Sequence, residues 1–226
     1  MMVLDVKKEE RHLLLMAKNF EDRKREKSKF LCGFDERAWF TCAIPEKASV
    51  STVIQAKEAL KPKPLQQIES VEGLKTKQAH KRRRKLKSGK KIYRQGEFMF
   101  APEPDFTLPG GSLTVIHEQE PMQRGGGNAH IAQYLYREGG RKVYVSSYSQ
   151  RTMNGISEAA YKKILEKDDK ARNYTWDIRV LNPTVYVRGK ITHKEHKTLD
   201  LGSTWHRVML NTEDQAFAAK NVRFLD

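Results

Sequence analysis

The chain has 226 residues, with 43 Lys and Arg against 28 Asp and Glu, a formal charge of +15. At 38% hydrophobic and 31% charged residues it suits a modest core with solvated segments better than one large globule. Two cysteines, Cys32 and Cys42, are too few for a disulfide scaffold or a thiolate zinc site. No apolar run reaches the ~18 residues that cross a bilayer, and the opening MMVLDVKKEERH lacks the basic-then-apolar order of a secretion signal.

Residues 1–28 are mostly charged, with one apolar cluster, Leu13 to Met16, that opens a strand or anchors a short helix. Lys29 to Phe34 and Arg37 to Ile44, rich in Phe, Trp, Leu and Ile, predict a β-hairpin turning around Asp35. Ser49 or Ser51 caps a predicted helix through Val53, Ile54, Ala56, Ala59 and Leu60, and Pro62 and Pro64 end it. Leu65, Ile68, Val71 and Leu74 then recur at helical spacing.

The chain next becomes basic. Between Lys75 and Arg94 lie eleven cations and no acid: Lys75, Lys77, Lys81, Arg82, Arg83, Arg84, Lys85, Lys87, Lys90, Lys91 and Arg94. Without them 32 basic residues face 28 acidic ones and the excess falls from +15 to +4. With only Ala79 and Leu86 to bury before Lys91, the run reads as a connector, helical on a polyanion and frayed without one. Cations at this density neutralise phosphates and release counterions, contacting a nucleic-acid backbone without reading bases.

From Ile92 the texture is that of strands: Ile92 to Phe100 with a bulge at Gln95-Gly96, Leu113 to His117, and a hairpin of Ala129 to Tyr136 with Lys142 to Tyr148 around Gly139-Gly140. A helix starts at Ser157; Tyr174 to Leu181, Thr184 to His193, Leu199 to Leu201 and Trp205 to Leu210 complete the strands. The expected fold is α+β: residues 1–64 form a small strand–strand–helix unit, 65–91 a basic connector, and 92–226 a largely antiparallel β-barrel or sandwich with an inserted helix.

Four of the seven histidines offer chemistry. His193 and His196 form an H-x-x-H turn, and His130 or His206 is placed to supply a third nitrogen to one divalent metal ion. H-x-x-H without the helical glutamate of H-E-x-x-H is also common on ordinary turns, so a metal-free reading stays open. Glu97, after Gly96, is the candidate base or further ligand; alternatively it is an exposed strand residue. Arg124 to Asn128 (RGGGN) lacks the lysine and hydroxyl of a phosphate-binding loop and reads as a flexible turn. Tyr134, Tyr136, Tyr144, Tyr148, Tyr174, Trp176 and Tyr186 serve either as base-stacking or as cross-strand residues.

The segments R-Q-G-E-F-M-F (Arg94 to Phe100), A-H-I-A (Ala129 to Ala132), T-H-K-E-H-K-T-L-D-L and W-H-R-V resemble a family of uncharacterised bacterial and phage proteins. These carry an R-Q-G-D-type strand, a glycine-histidine segment and an H-P-x-H turn. Here Glu97 replaces the aspartate and Lys194 the proline. The resemblance spans about residues 94–208, implies a boundary near residue 92, and marks Arg94, Glu97, His130, His193 and His196 as matching positions; it implies no particular activity.

The expected function is a nucleic-acid-binding protein in the cytoplasm, contacting RNA or DNA through Lys75 to Arg94 without a cofactor, as part of a larger nucleoprotein assembly. In a eukaryotic source K-R-R-R-K also reads as a nuclear-localisation signal. Two alternatives stand beside it: a metal-dependent hydrolase or nuclease using the histidines, and an adaptor whose basic segment meets an acidic protein surface.

Overall fold

Strand β1 (Met2–Lys7), β2 (His12–Lys18), β3 (Lys27–Asp35) and β4 (Ala38–Ala43) form an antiparallel four-stranded sheet in that order. The computed structural model of the chain describes residues 1–18, 27–36, 38–45, 48–74, 83–109, 115–123 and 128–212. Alternation puts Leu14 and Leu31 on one face, against helix α1 (Val53–Ala59), whose Val53 and Ala56 they meet in a buried cluster with Ile44, Val50 and Leu60. The cap of α1 is Thr52 rather than Ser49 or Ser51: its hydroxyl accepts from Gln55 N–H, and the Gln55 side chain accepts from Thr52 N–H. The Asp5 carboxylate accepts from Val53 N–H, tying β1 to the same helix end.

Pro62 introduces helix α2 (Lys63–Glu72), which ends at Gly73. Its Leu65 packs with Leu86, Ile92, Met99, Ala101 and Met209 on one face of a larger sheet. That sheet runs β5 (Arg83–Lys85), β6 (Lys91–Gln95), β7 (Phe98–Pro102), β14 (His206–Leu210), β12 (Thr184–Thr192), β9 (His130–Glu138), β8 (His117–Met122), with β13 (Leu199–Asp200) beside β12. Its other face supplies a second core from Phe98, Phe100, Met122, Ala132, Leu135, Val185, Val187 and Ile191, all on strands of this one sheet, so the sheet coils around them. β5 and β8 remain as its two ends.

The architecture is thus α+β and mainly antiparallel; of the expected barrel or sandwich, a closed barrel does not form among the described residues. Several local expectations also change. Ile92 to Phe100 is not one bulged strand but the β6–β7 hairpin, with Gln95 opposite Phe98 and a two-residue loop of Gly96 and Glu97. The predicted hairpin around Gly139-Gly140 does not pair. β9 stays in the large sheet, whereas β10 (Arg141–Val145) pairs with β11 (Asp177–Leu181) in a separate two-stranded sheet. Both glycines have positive φ, and a Cβ on Gly140 would crowd Pro183 N at 3.0 Å, so the local glycine signal marks a change of sheet. The strand expected at Leu113 begins at His117; residues 113 and 114 lie outside the described residues. Helix α3 (Gln150–Met153) precedes α4 (Glu158–Lys167), which Ser157 caps.

Within the basic run, Lys75, Lys77, Lys81 and Arg82 lie outside the described residues. Where the run is described it is strand, not helix, since Leu86 needs burial and β5 pairs with β6. Arg84 is 3% exposed and ion-paired to Glu69 of α2, which also holds Lys61 at 2.7 Å. Lys90 pairs with Glu72. These cations are internal struts; Lys85, Lys87 and Lys91 are exposed.

Candidate metal centre

Three structural elements deliver the histidines. β9 opens with His130, facing the coiled core edge-on to Phe98 at 4.8 Å. The chain leaving β12 carries His193 and His196 through the turn before β13. One ligand atom from each of the three imidazoles lies within 4.8 Å of the others. The rings lie nearly parallel, with centroids 4.2 Å apart for His130 and His193 and 4.7 Å for His193 and His196. Among the described residues this group contains neither Glu97 nor His206. Glu97 is half-buried in the β6–β7 loop, where its carbonyl accepts from Asn211 N–H. His206 lies edge-on to Tyr93 and its Nδ1 donates to Thr204 O at 2.8 Å. It serves the β14 junction instead.

His130 is the buried member, 1% exposed, and among the described residues neither ring nitrogen has a hydrogen-bond partner. Such a group forfeits about 1–3 kcal/mol relative to a satisfied one. Burial, and then the neighbouring His193 and His196, hold its pKa down at about 3. It is therefore a neutral imidazole at ordinary pH, the form that ligates metals.

The loop glycine leaves room beside the nitrogens. Gly96 has φ +56, and a Cβ there would stand 3.1 Å from His196 Nε2 and 3.4 Å from His130 Nε2. Any side chain would fill the cleft the two nitrogens share. Tetrahedral zinc, bonding nitrogen at about 2.0–2.1 Å, draws its ligands to about 3.4 Å of each other. The present spacing, within 4.8 Å, is wider than that.

The turn around residues 193–197 is held from several directions. His193 Nε2 donates to Asn128 O at 3.1 Å, and its Nδ1 accepts from Glu195 N–H at 3.1 Å. Ligation of a cation by His193 requires giving up one of those bonds. Lys197 N–H donates to Glu36 at 2.7 Å, and Gln95 donates to Lys197 O at 2.7 Å. Glu36 belongs to the β3–β4 turn of the other sheet, and its Oε2 is 3.4 Å from His196 Nδ1. One residue earlier, Asp35 binds Arg94 at 3.1 Å, and Arg94 also donates to Gly96 O. Arg94 is therefore a clamp between the sheets and the loop. Burial in that position pulls its pKa down from the usual guanidinium value, against an upward pull from Cys42 and Glu36.

Sequence reading found the three imidazoles and Arg94. It missed Glu36, whose only signal was its place in the predicted hairpin turn, and the role of Gly96, which read as a bulge. No protein-family model, curated protein or solved structure matches this chain.

Proposed function

We propose that this protein is a metal-dependent hydrolase of phosphodiester substrates, with His130, His193 and His196 as ligands of one divalent transition-metal ion. The observation that carries this reading is the convergence of three imidazoles, 63 residues apart at the first step in sequence, to within 4.8 Å. Three protein ligands and an open fourth position define catalytic rather than structural zinc sites. A cation there supplies Lewis-acid chemistry at a phosphoryl oxygen. The half-buried His193 and the exposed Lys194 and Glu195 form the outer rim, and the +15 charge of the chain favours a polyanionic substrate.

Elemental analysis of the purified protein, with hydrolysis of bis(p-nitrophenyl) phosphate and of a labelled oligonucleotide, tests the reading. Near one equivalent of metal and activity lost in His196→Ala are expected. A protein that takes up no zinc, manganese or nickel after dialysis against each would overturn it.

A second reading, binding of an RNA or DNA backbone without cleavage, is favoured by the exposure of Lys85, Lys87 and Lys91 on the β5–β6 hairpin. Gel shifts at two salt concentrations decide it. Salt-insensitive affinity, or none, discards it. No described helix is long and apolar enough to cross a membrane.

A further inference from the structure

The N-terminal sheet contributes one charged side chain to the histidine cluster, and its placement is unusual for its type. Glu36 sits in the β3–β4 turn with φ +55, a left-handed conformation that glycine or asparagine adopts more readily. Non-glycine residues persist there when surrounding contacts over-determine them, as they do at functional sites. The contacts here are specific. The same oxygen, Oε2, accepts from Lys197 N–H at 2.7 Å and faces His196 Nδ1 at 3.4 Å. The carboxylate side chain is only 15% exposed and that of His196 9%.

From this geometry we infer that Glu36 is the positioning residue of the histidine centre, holding His196 as its Nδ1–H tautomer so that Nε2 faces the cation beside Gly96. A carboxylate can only accept a hydrogen bond, so the proton of a neutral His196 belongs on Nδ1. The lone pair then falls on Nε2, the nitrogen nearest Gly96. A carboxylate behind a ligating imidazole fixes the orientation of the ring and raises the basicity of the nitrogen that meets the metal. Because Glu36 and Lys197 lie on different sheets, the same contact makes the metal centre depend on how the N-terminal sheet docks. Asp35 and Arg94 brace that docking from the adjacent position. The inference rests on the metal-centre reading and adds to it a residue from outside the three ligands.

Glu36→Gln separates the roles. Because one oxygen, Oε2, meets both groups, an amide that keeps its oxygen on Lys197 N–H still accepts from Nδ1–H but no longer carries the charge that raises the basicity of the ligand nitrogen, whereas Glu36→Leu removes the acceptor as well. Zinc affinity is measured by competition with a chromophoric chelator, and the His196 tautomer by nitrogen-15 NMR of the metal-free protein. Glu36→Gln is expected to weaken zinc binding with His196 still in its Nδ1–H form, and Glu36→Leu to weaken it about 10- to 100-fold and move His196 away from Nδ1–H, both with the fold retained by circular dichroism. Glu36→Asp, which keeps the carboxylate, should recover part of the affinity. If the wild type binds zinc and Glu36→Leu binds it within twofold with an unchanged tautomer, the role of Glu36 is overturned. If the wild type binds no zinc, the metal-centre reading itself is overturned, and this inference with it.

Discussion

The backbone of Gly96 lies against the imidazole of His196: a Cβ at position 96 would stand 3.1 Å from His196 Nε2. Alanine there adds two effects, strain at φ +56 of about 1 kcal/mol and a methyl group in the space a metal needs. Asparagine tolerates left-handed φ but still carries the Cβ. Both Gly96→Ala and Gly96→Asn should lose at least tenfold in zinc affinity, whereas only the alanine should lose appreciable stability. Isothermal titration and thermal melts report the two separately. Wild-type zinc affinity in either variant would remove Gly96 from the site.

Arg84 and its basic neighbours separate by role. Glu69 holds both Arg84 and Lys61, the two being 3% and 4% exposed. Removing one partner of a buried pair leaves an uncompensated charge and costs about 3–5 kcal/mol. Glu69→Ala should show that loss in urea unfolding, and Arg84→Met, which leaves Glu69 paired with Lys61, a smaller one. Replacing Lys85, Lys87 and Lys91 with glutamine should leave stability within about 0.5 kcal/mol. It should also flatten the salt dependence of nucleic-acid binding by about 0.9 in log–log slope for each phosphate no longer neutralised. An unchanged slope in the triple variant would place the nucleic-acid interface elsewhere.

These roles bear on what the sequence made legible. Alternation and aromatic content located β3, β4, β9 and β12, because one face of each strand is buried and period two is strong. The spacing of Leu65 and Ile68 located α2 for the same reason. β1 was obscured by the charges around it and β5 by its own, while β2 stood open between strand and short helix. A three-residue strand with one buried arginine has no periodicity to read. The H-x-x-H turn was visible, and spacing left His130 and His206 both open as its third partner; the pairing of β9 with β12 is what brings His130 to it. Glu36 depended on how two sheets dock, which no local pattern records.

Gly33 faces His12 across β2 and β3, and a Cβ there would meet the His12 ring first and then Arg11 O at 2.8 Å. The ring can yield only if Phe40 lets it, and the carbonyl is backbone and cannot rotate away. Gly33→Ala should therefore cost about 1–3 kcal/mol, read as a shift of the denaturation midpoint without a change in slope. Because His12 is held edge-on to Phe40 at 5.2 Å, trimming Phe40 to leucine in the same background should return part of the loss. Equal stability of Gly33→Ala and wild type would show that β2 can shift to make room.

His12 and His130 together predict how stability responds to acid. Burial leads the depression of both, aided at His12 by Lys57 against an opposing pull from Glu10, and at His130 by His193 and His196. Their folded pKa values fall to about 4 and about 3 from an unfolded value of 6.5. Above pH 6.5 both rings are neutral whether the chain is folded or not, and neither contributes a slope. As pH falls below that value the unfolded chain binds protons that the folded chain refuses, so stability drops until the folded rings titrate. Each ring accounts for a loss on the order of a few kcal/mol. Measured in chelator from about pH 7 to about pH 4, unfolding free energy should fall more steeply for the wild type than for His130→Gln or His12→Gln. The double variant should be flatter still, with the carboxylate contribution common to all four proteins. Parallel profiles would mean that the folded state accommodates both charges, and that neither ring is held neutral by its surroundings.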